Sequence, residues 1–203
     1  HRLFEGISEP LIIHTAGIIH PKRVSDFYRV NVKGTMNLLK VARSKRPKKA
    51  IVLSSNSPYG VNSVLGEAFD EQAPYRPYMN YGKSKALMER EVREFESHET
   101  FPCVVICAPW FYGPYQPERQ TTFFSMIRRG RCPVVGSGEN LRSMAYTENL
   151  VQGILLAALR CHDKNKKYWV ADEKPYSMEN IIGTIADVLQ TDLGLSVKSG
   201  QIQ

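Results

Sequence analysis

Three short apolar runs, each breaking off into a polar, glycine- or proline-containing loop, constrain this chain more than any other feature. They are Pro10-Leu-Ile-Ile-His14, Ala50-Ile-Val-Leu53 and Phe101-Pro-Cys-Val-Val-Ile-Cys107. None alternates polar with apolar residues, so each reads as a strand buried on both faces, the pattern of a parallel sheet. Helical periodicity fills the intervals. Residues 25–42 carry Phe27, Val30, Met36, Leu38, Leu39 and Val41, and the basic Lys45-Arg-Pro-Lys-Lys49 closes that helix at its proline. A second helix is predicted over residues 78–96. Strand, helix, strand, helix, strand defines an α/β protein with helices on the faces of a parallel sheet. Ligands of such sheets sit at the carboxyl ends of the strands. The segments 15–17, 54–57 and 109–113 are therefore expected to line one crevice.

Beyond residue 114 the pattern loosens. The spacing predicts helices over 121–129, 147–159 and 177–189, the last with Ser177 as N-cap, and strands over 133–135 and 167–171. The expected division is a main sheet domain over residues 1–114 and a smaller mixed α/β substrate-binding lobe over 115–203, with elements returning to the core. The chain is 42% hydrophobic and 23% charged, a globular composition. Its net charge of +7 is dispersed, with only small clusters at 45–49 and 128–131. Dispersed charge argues against a nucleic-acid surface and for a phosphate-bearing cofactor or substrate as the anionic partner. Cys103, Cys107, Cys132 and Cys161 form no Cys-x-x-Cys pair and no cluster with histidine. No metal site is expected, and the cysteines read as reduced and structural, which implies a cytoplasmic protein. No apolar run reaches the roughly 18 residues of a membrane span.

The chemistry concentrates at Tyr81-Gly-Lys-Ser-Lys85. Residues four apart share a helix face, so Tyr81 and Lys85 are expected to address one site. An ammonium beside a phenol favours the phenolate and makes it a proton carrier near neutral pH.

Taken together, the motifs resemble the extended short-chain dehydrogenase/reductase family of the epimerase/dehydratase type. They are His14-Thr-Ala-Gly17, Asn31-Val-Lys-Gly-Thr35, Leu53-Ser-Ser with Tyr59-Gly60, Tyr81-x-x-x-Lys85, Tyr112-Gly-Pro114 and the segment 142–149. The resemblance implies a Rossmann-type doubly wound sheet, NAD or NADP as cofactor, and oxidation or reduction of a secondary alcohol or ketone. It implies Tyr81 as the acid–base, Lys85 as the group that lowers the tyrosine pKa and holds the nicotinamide ribose, and Ser55 as a hydrogen-bond partner of the reacting oxygen. Thr15, Ala16, Gly17 and Asn31 match the family's cofactor-side positions. His14 is expected to be structural.

Three departures shape the expected substrate. There is no Gly-x-Gly-x-x-Gly; Gly136-Ser-Gly138 has Leu141 where the third glycine would stand. In the family that loop and the first strands precede the strand at Leu11, so the sequence reads as a fragment beginning after them. The residues following Ser55 are Asn56 and Ser57, where nucleotide-sugar 4,6-dehydratases carry an Asp–Glu pair, so dehydration is not expected. Cys107 and Trp110 stand where nucleotide-sugar members carry Arg and Asn. Trp110 points to an apolar substrate, as in 3β-hydroxysteroid-dehydrogenase-like relatives, whereas Arg142 matches an arginine that meets a substrate diphosphate. Ser57, Trp110 and Arg142 are thus the candidate substrate residues, with a sterol-like molecule or a nucleotide sugar as the small-molecule partner, and a homodimer or a silent dinucleotide-binding fragment as further possibilities.

Overall fold

The computed structural model describes residues 4–62, 67–116, 118–134 and 136–198. In chain order the first elements are β1 (Leu11–His14), α1 (Val24–Phe27), a π-helical stretch (Tyr28–Gly34), α2 (Thr35–Arg43) and β2 (Lys49–Leu53). Next come α3 (Asn80–Ser97), β3 (Cys103–Cys107), β4 (Trp110–Tyr112), α4 (Glu118–Arg128), β5 (Leu141–Arg142) and β6 (Met144–Tyr146). The chain continues through α5 (Thr147–Arg160), β7 (Lys167–Trp169), β8 (Tyr176–Ser177) and α6 (Met178–Thr191). It divides into two compact units, His1–Pro109 with Asn149–Val170, and Trp110–Glu148 with Ala171–Gln203.

The first unit is built on a four-stranded sheet in the order β1-β2-β3-β7, parallel throughout. Partners in register share a face, so Ile12, Ala50 and Cys103 line up on one side, as do His14, Val52 and Val105. That side meets Leu39 and Ala42 of α2 and Met88 and Val92 of α3 in one apolar core. The other side carries Lys49, Ile51, Val104 and Ile106, all buried. Here the Lys49 ammonium donates to the carbonyls of Ala157 (3.2 Å) and Ala158 (2.7 Å) in the last turns of α5. A cation at the negative end of a helix is the one charge this buried face accommodates readily. Helices on both faces explain why the strands are continuously apolar, and they make this a Rossmann-type doubly wound sheet.

Several boundaries differ from expectation. The long helix starts at Asn80 rather than residue 78, because Met79 is extended (φ −118°, ψ 160°) behind Pro77 and Tyr78. α4 starts at Glu118 rather than 121. No strand forms at Pro133 and Val134, and residue 135 lies outside the described residues. Gly136 and Gly138 have positive φ, as in a turn, and Val134 packs on Gly138.

In the second unit β4 pairs in parallel with β6, and β5 pairs antiparallel with β8. Asp172 accepts from the Tyr146 amide (3.0 Å) and from the hydroxyls of Tyr112 (3.0 Å) and Tyr176 (3.2 Å), fastening the strand pair. Ser177 caps α6 by accepting from the Asn180 amide at 3.0 Å, as the sequence predicts. The cysteines are free thiols, and Cys103, Cys107 and Cys161 are buried. Among the described residues no helix is long and apolar enough to cross a membrane.

Candidate active site

The parallel sheet brings the loops after β1 and β2 to the same edge, where α3 runs past both. Lys85 sits in α3 and is 5% exposed. Its Nζ donates to the Leu53 carbonyl at the end of β2 (2.8 Å) and lies 3.8 Å from Met88 Sδ. Burial pulls its pKa from 10.5 down to about 8, against an opposing pull from Glu89 and then Cys107.

Asn31 is fully buried, carried inward by the π-helical stretch. Its Oδ1 accepts from the Ile18 amide (2.8 Å), and its Nδ2 donates to the Ile18 carbonyl (3.1 Å) and to Ser84 Oγ (3.0 Å). Ser84 in turn donates to the Tyr81 carbonyl (2.7 Å). With both amide protons used inside the protein, Asn31 clamps the loop after β1 onto α3. The result is close convergence: a Cβ on Gly17 would lie 3.3 Å from Asn31 Oδ1 and 3.5 Å from Lys85 Nζ. Thr15, Ala16 and Gly17 themselves are exposed.

His14 lies 2.9 Å through Nε2 from Thr35 Oγ1, and the Thr35 hydroxyl donates to the Asn31 carbonyl at 2.7 Å. Since Thr35 has one proton and gives it to Asn31, the imidazole donates from Nε2. Burial, then the Lys85 charge, lowers the His14 pKa. Neutral and fixed, His14 braces the helix that bears Asn31.

Ser55 is buried just past β2. Its hydroxyl lies 3.2 Å from Asn56 Oδ1 and 3.3 Å from Ser57 Oγ, and it accepts from the Ser57 amide at 3.3 Å. Backbone bonds from Ser54 to Ile106 (2.7 Å) and from Asn56 to Ala108 (3.2 Å) hold the segment against the β3 exit. A Cβ on Gly82 would overlap the Ser57 carbonyl oxygen, so the glycine beside Tyr81 lets this loop seat on the first turn of α3. Tyr81 is half-buried, its ring 6.1 Å from that of Phe27 in α1.

The first unit thus gathers Gly17, Asn31 and Lys85, and seats the Ser55–Ser57 loop on the turn that bears Tyr81. Trp110 and Arg142 belong to the second unit. Trp110 opens β4, half-buried and edge-on to Phe123 at 5.4 Å, and Arg142 ends β5, exposed. Thr35 and Ser84 enter the sequence reading only as members of quoted motifs, without roles of their own, and Glu89 does not enter it at all. Glu89 stands four residues beyond Lys85, on the same helix face, but nothing in the sequence marks it as interior.

Chemically the arrangement offers a buried ammonium with donors to spare, an exposed loop passing closely over it, and a serine pair at the neighbouring strand end. A dinucleotide's ribose and nicotinamide fit that donor set: a hydroxyl-bearing ring would meet the ammonium, and the missing side chain at Gly17 removes the obstruction.

A Rossmann-type sheet with a Tyr-x-x-x-Lys helix at its carboxyl edge defines the class, and comparison with known proteins places the chain within it. The model of the NAD dependent epimerase/dehydratase family matches residues 2–171, and the chain belongs to that family. Protein y4nL of Sinorhizobium fredii is 48% identical over 194 residues, covering 95% of this chain and 54% of that protein. The dTDP-D-glucose 4,6-dehydratase of Homo sapiens is 33% identical over 160 residues, covering 75% of this chain and 45% of that enzyme. The structure of a UDP-glucuronic acid 4-epimerase from Bacillus cereus in complex with NAD has the same fold, with a TM-score of 0.82 at 20% identity over 98% of this chain and 64% of that one. The chain spans about half the length of the curated relatives it matches.

Proposed function

We propose that this chain carries the proton-transfer site of an NAD(P)-dependent oxidoreductase acting on a secondary alcohol or ketone of a nucleotide sugar. Tyr81 moves the hydroxyl proton, Lys85 favours the phenolate and holds the nicotinamide ribose, and Ser55 hydrogen-bonds the reacting oxygen. Thr15, Ala16 and Gly17 pass along the cofactor, with Asn31 fixing their loop. Bound NAD or NADP would supply the hydride chemistry.

The observation that carries this reading is the approach of the Gly17 loop to both Asn31 and Lys85, the latter on the helix that bears Tyr81. The substrate class rests on the relatives, a dTDP-D-glucose dehydratase and a UDP-glucuronic acid epimerase by name. Dehydration is disfavoured, because Asn56 and Ser57 offer no carboxylate for removing and returning the protons of a departing water. Epimerisation or simple dehydrogenation remains. Ser57 and Arg142 are the proposed substrate contacts, Arg142 toward the diphosphate. Trp110 favours a second reading, an apolar, sterol-like substrate.

The test is Tyr81→Phe in the full-length protein. The ring stays while the proton carrier goes, so turnover falls by roughly 10²–10⁴-fold with cofactor affinity little changed. Undiminished turnover under conditions where chemistry limits the rate removes Tyr81 from the mechanism.

A further inference from the structure

Glu89 is a carboxylate where an apolar residue would be expected, 1% exposed against the core of the first unit. Its Oε1 accepts from the Ser54 hydroxyl. Its Oε2 accepts from the hydroxyls of Tyr59 (2.6 Å) and Tyr75 (2.9 Å). Three donors from two segments outside α3 are a large investment in one buried anion, and a buried charge without such partners would be strongly destabilising.

We infer that Glu89 is a positioning residue of the Tyr81–Lys85–Ser55 site: it is the fixed counter-charge of the Lys85 ammonium one turn away, and it ties the exit of β2 to α3. The inference rests on the acid–base reading of that site. The tie is visible in two adjacent residues. Lys85 holds the Leu53 carbonyl and Glu89 holds the Ser54 hydroxyl, so the two residues immediately before Ser55 are both fastened to α3 from consecutive turns.

The charge relation follows from what surrounds each group. The titratable groups coupled electrostatically to the ammonium are His14 from β1, Cys107 from β3 and Glu89 on its own helix. Burial, then Glu89, pushes the Cys107 thiol up to about 12, so it is uncharged at neutral pH. His14 is neutral as well. Glu89 therefore supplies the negative charge that opposes desolvation of Lys85. Around the carboxylate stand Tyr59, Tyr75 and Cys107, with Arg93 on α3 acting on Tyr75 and Cys107. The Lys167 ammonium lies 4.6 Å from the Tyr59 ring centre and 5.9 Å from that of Tyr75, and the Arg90 guanidinium 5.1 Å from the latter. These two cations face the tyrosine rings, whereas Lys85 stands on α3 itself, one turn before Glu89.

The experiment uses the full-length protein with ¹³C-labelled lysine, the Lys85 signal being assigned by its loss in Lys85→Arg. Glu89→Gln keeps the shape and removes the charge, so the Lys85 titration midpoint falls by roughly one pH unit. Glu89→Asp keeps the charge but draws it back by one methylene, giving a smaller fall in the same direction; it carries the measurement if the glutamine variant does not fold. A Lys85 midpoint unmoved in whichever variant folds overturns the counter-charge. Ser54→Ala, a minimal change, releases the tie: amide hydrogen exchange at residues 55–57 accelerates about tenfold or more. Unchanged exchange there overturns the tie. Neither readout needs turnover, so an error in the acid–base reading would surface separately, as undiminished turnover in Tyr81→Phe.

Discussion

At neutral pH the Lys85 ammonium is held in the interior against its preference for water, and that preference sets a pH dependence. The folded pKa of about 8 lies below the ordinary 10.5. Between those values the unfolded chain binds the extra proton and the folded chain does not, so stability rises with pH across the window. The penalty is complete below pH 8 and gone by pH 10.5, a difference on the order of 3 kcal/mol. Urea unfolding of wild type and Lys85→Met in parallel isolates it. The stability of wild type relative to the variant should climb from pH 8 to 10.5, and a flat difference would show that Lys85 is solvated. Two other side chains test the proposed substrate. On a nucleotide sugar, Arg142→Ala should lower kcat/KM through loss of a charge-assisted contact worth about 1.5–3 kcal/mol, while Trp110→Asn is tolerated. On an apolar substrate the pattern reverses, with Trp110→Ala costing about 1–3 kcal/mol. Steady-state kinetics of the three variants separates the two.

Between elements, the critical joint is the seat of the β2 exit on the first turn of α3. Gly82→Ala would drive a methyl into the Ser57 carbonyl, and the expected loss is about 1–3 kcal/mol, the scale of overpacking. Gly183→Ala in α6 is the contrast: nothing lies within 4 Å of its Cβ position, so helix propensity alone should stabilise by about 0.5–1 kcal/mol. Opposite shifts in thermal midpoint confirm both; equal shifts would mean the joint is looser than it stands. The same joint shows what a sequence discloses. Three of the four sheet strands were legible because burial on both faces makes them continuously apolar, and Tyr81 and Lys85 because a spacing of four is a helix face. Trp110–Tyr112 was not, since Pro109, Gly113 and Pro114 bracket it like a loop and its partner Met144–Tyr146 is distant in the chain. Asn31 became a candidate only through family resemblance. No periodicity of 3.6 points it inward, because a π turn rather than an α turn carries it there. Glu89 looked like one more helix charge; only the hydroxyls of Ser54, Tyr59 and Tyr75 reveal it as interior.

Across the whole chain, β1 is an edge strand of its sheet, with Leu11 43% and Ile13 42% exposed. Val151, Leu155, Leu156 and Leu159 of α5 are exposed as well. An apolar edge of this kind invites pairing with another copy. The isolated 203-residue chain should therefore self-associate with concentration in sedimentation velocity, and replacing Leu11 and Ile13 by lysine should return it toward a monomer. The π-helical stretch from Tyr28 to Gly34 reaches furthest in its consequence. A π turn holds more residues than an α turn, and such stretches arise as a surplus residue wound into a helix. The inward aim of Asn31 is thus specified by counting. Removing one residue there would leave α1 and α2 presenting the same faces while turning the amide by about 100°, so a one-codon deletion could unclamp the loop at Gly17 without altering any side chain in the site.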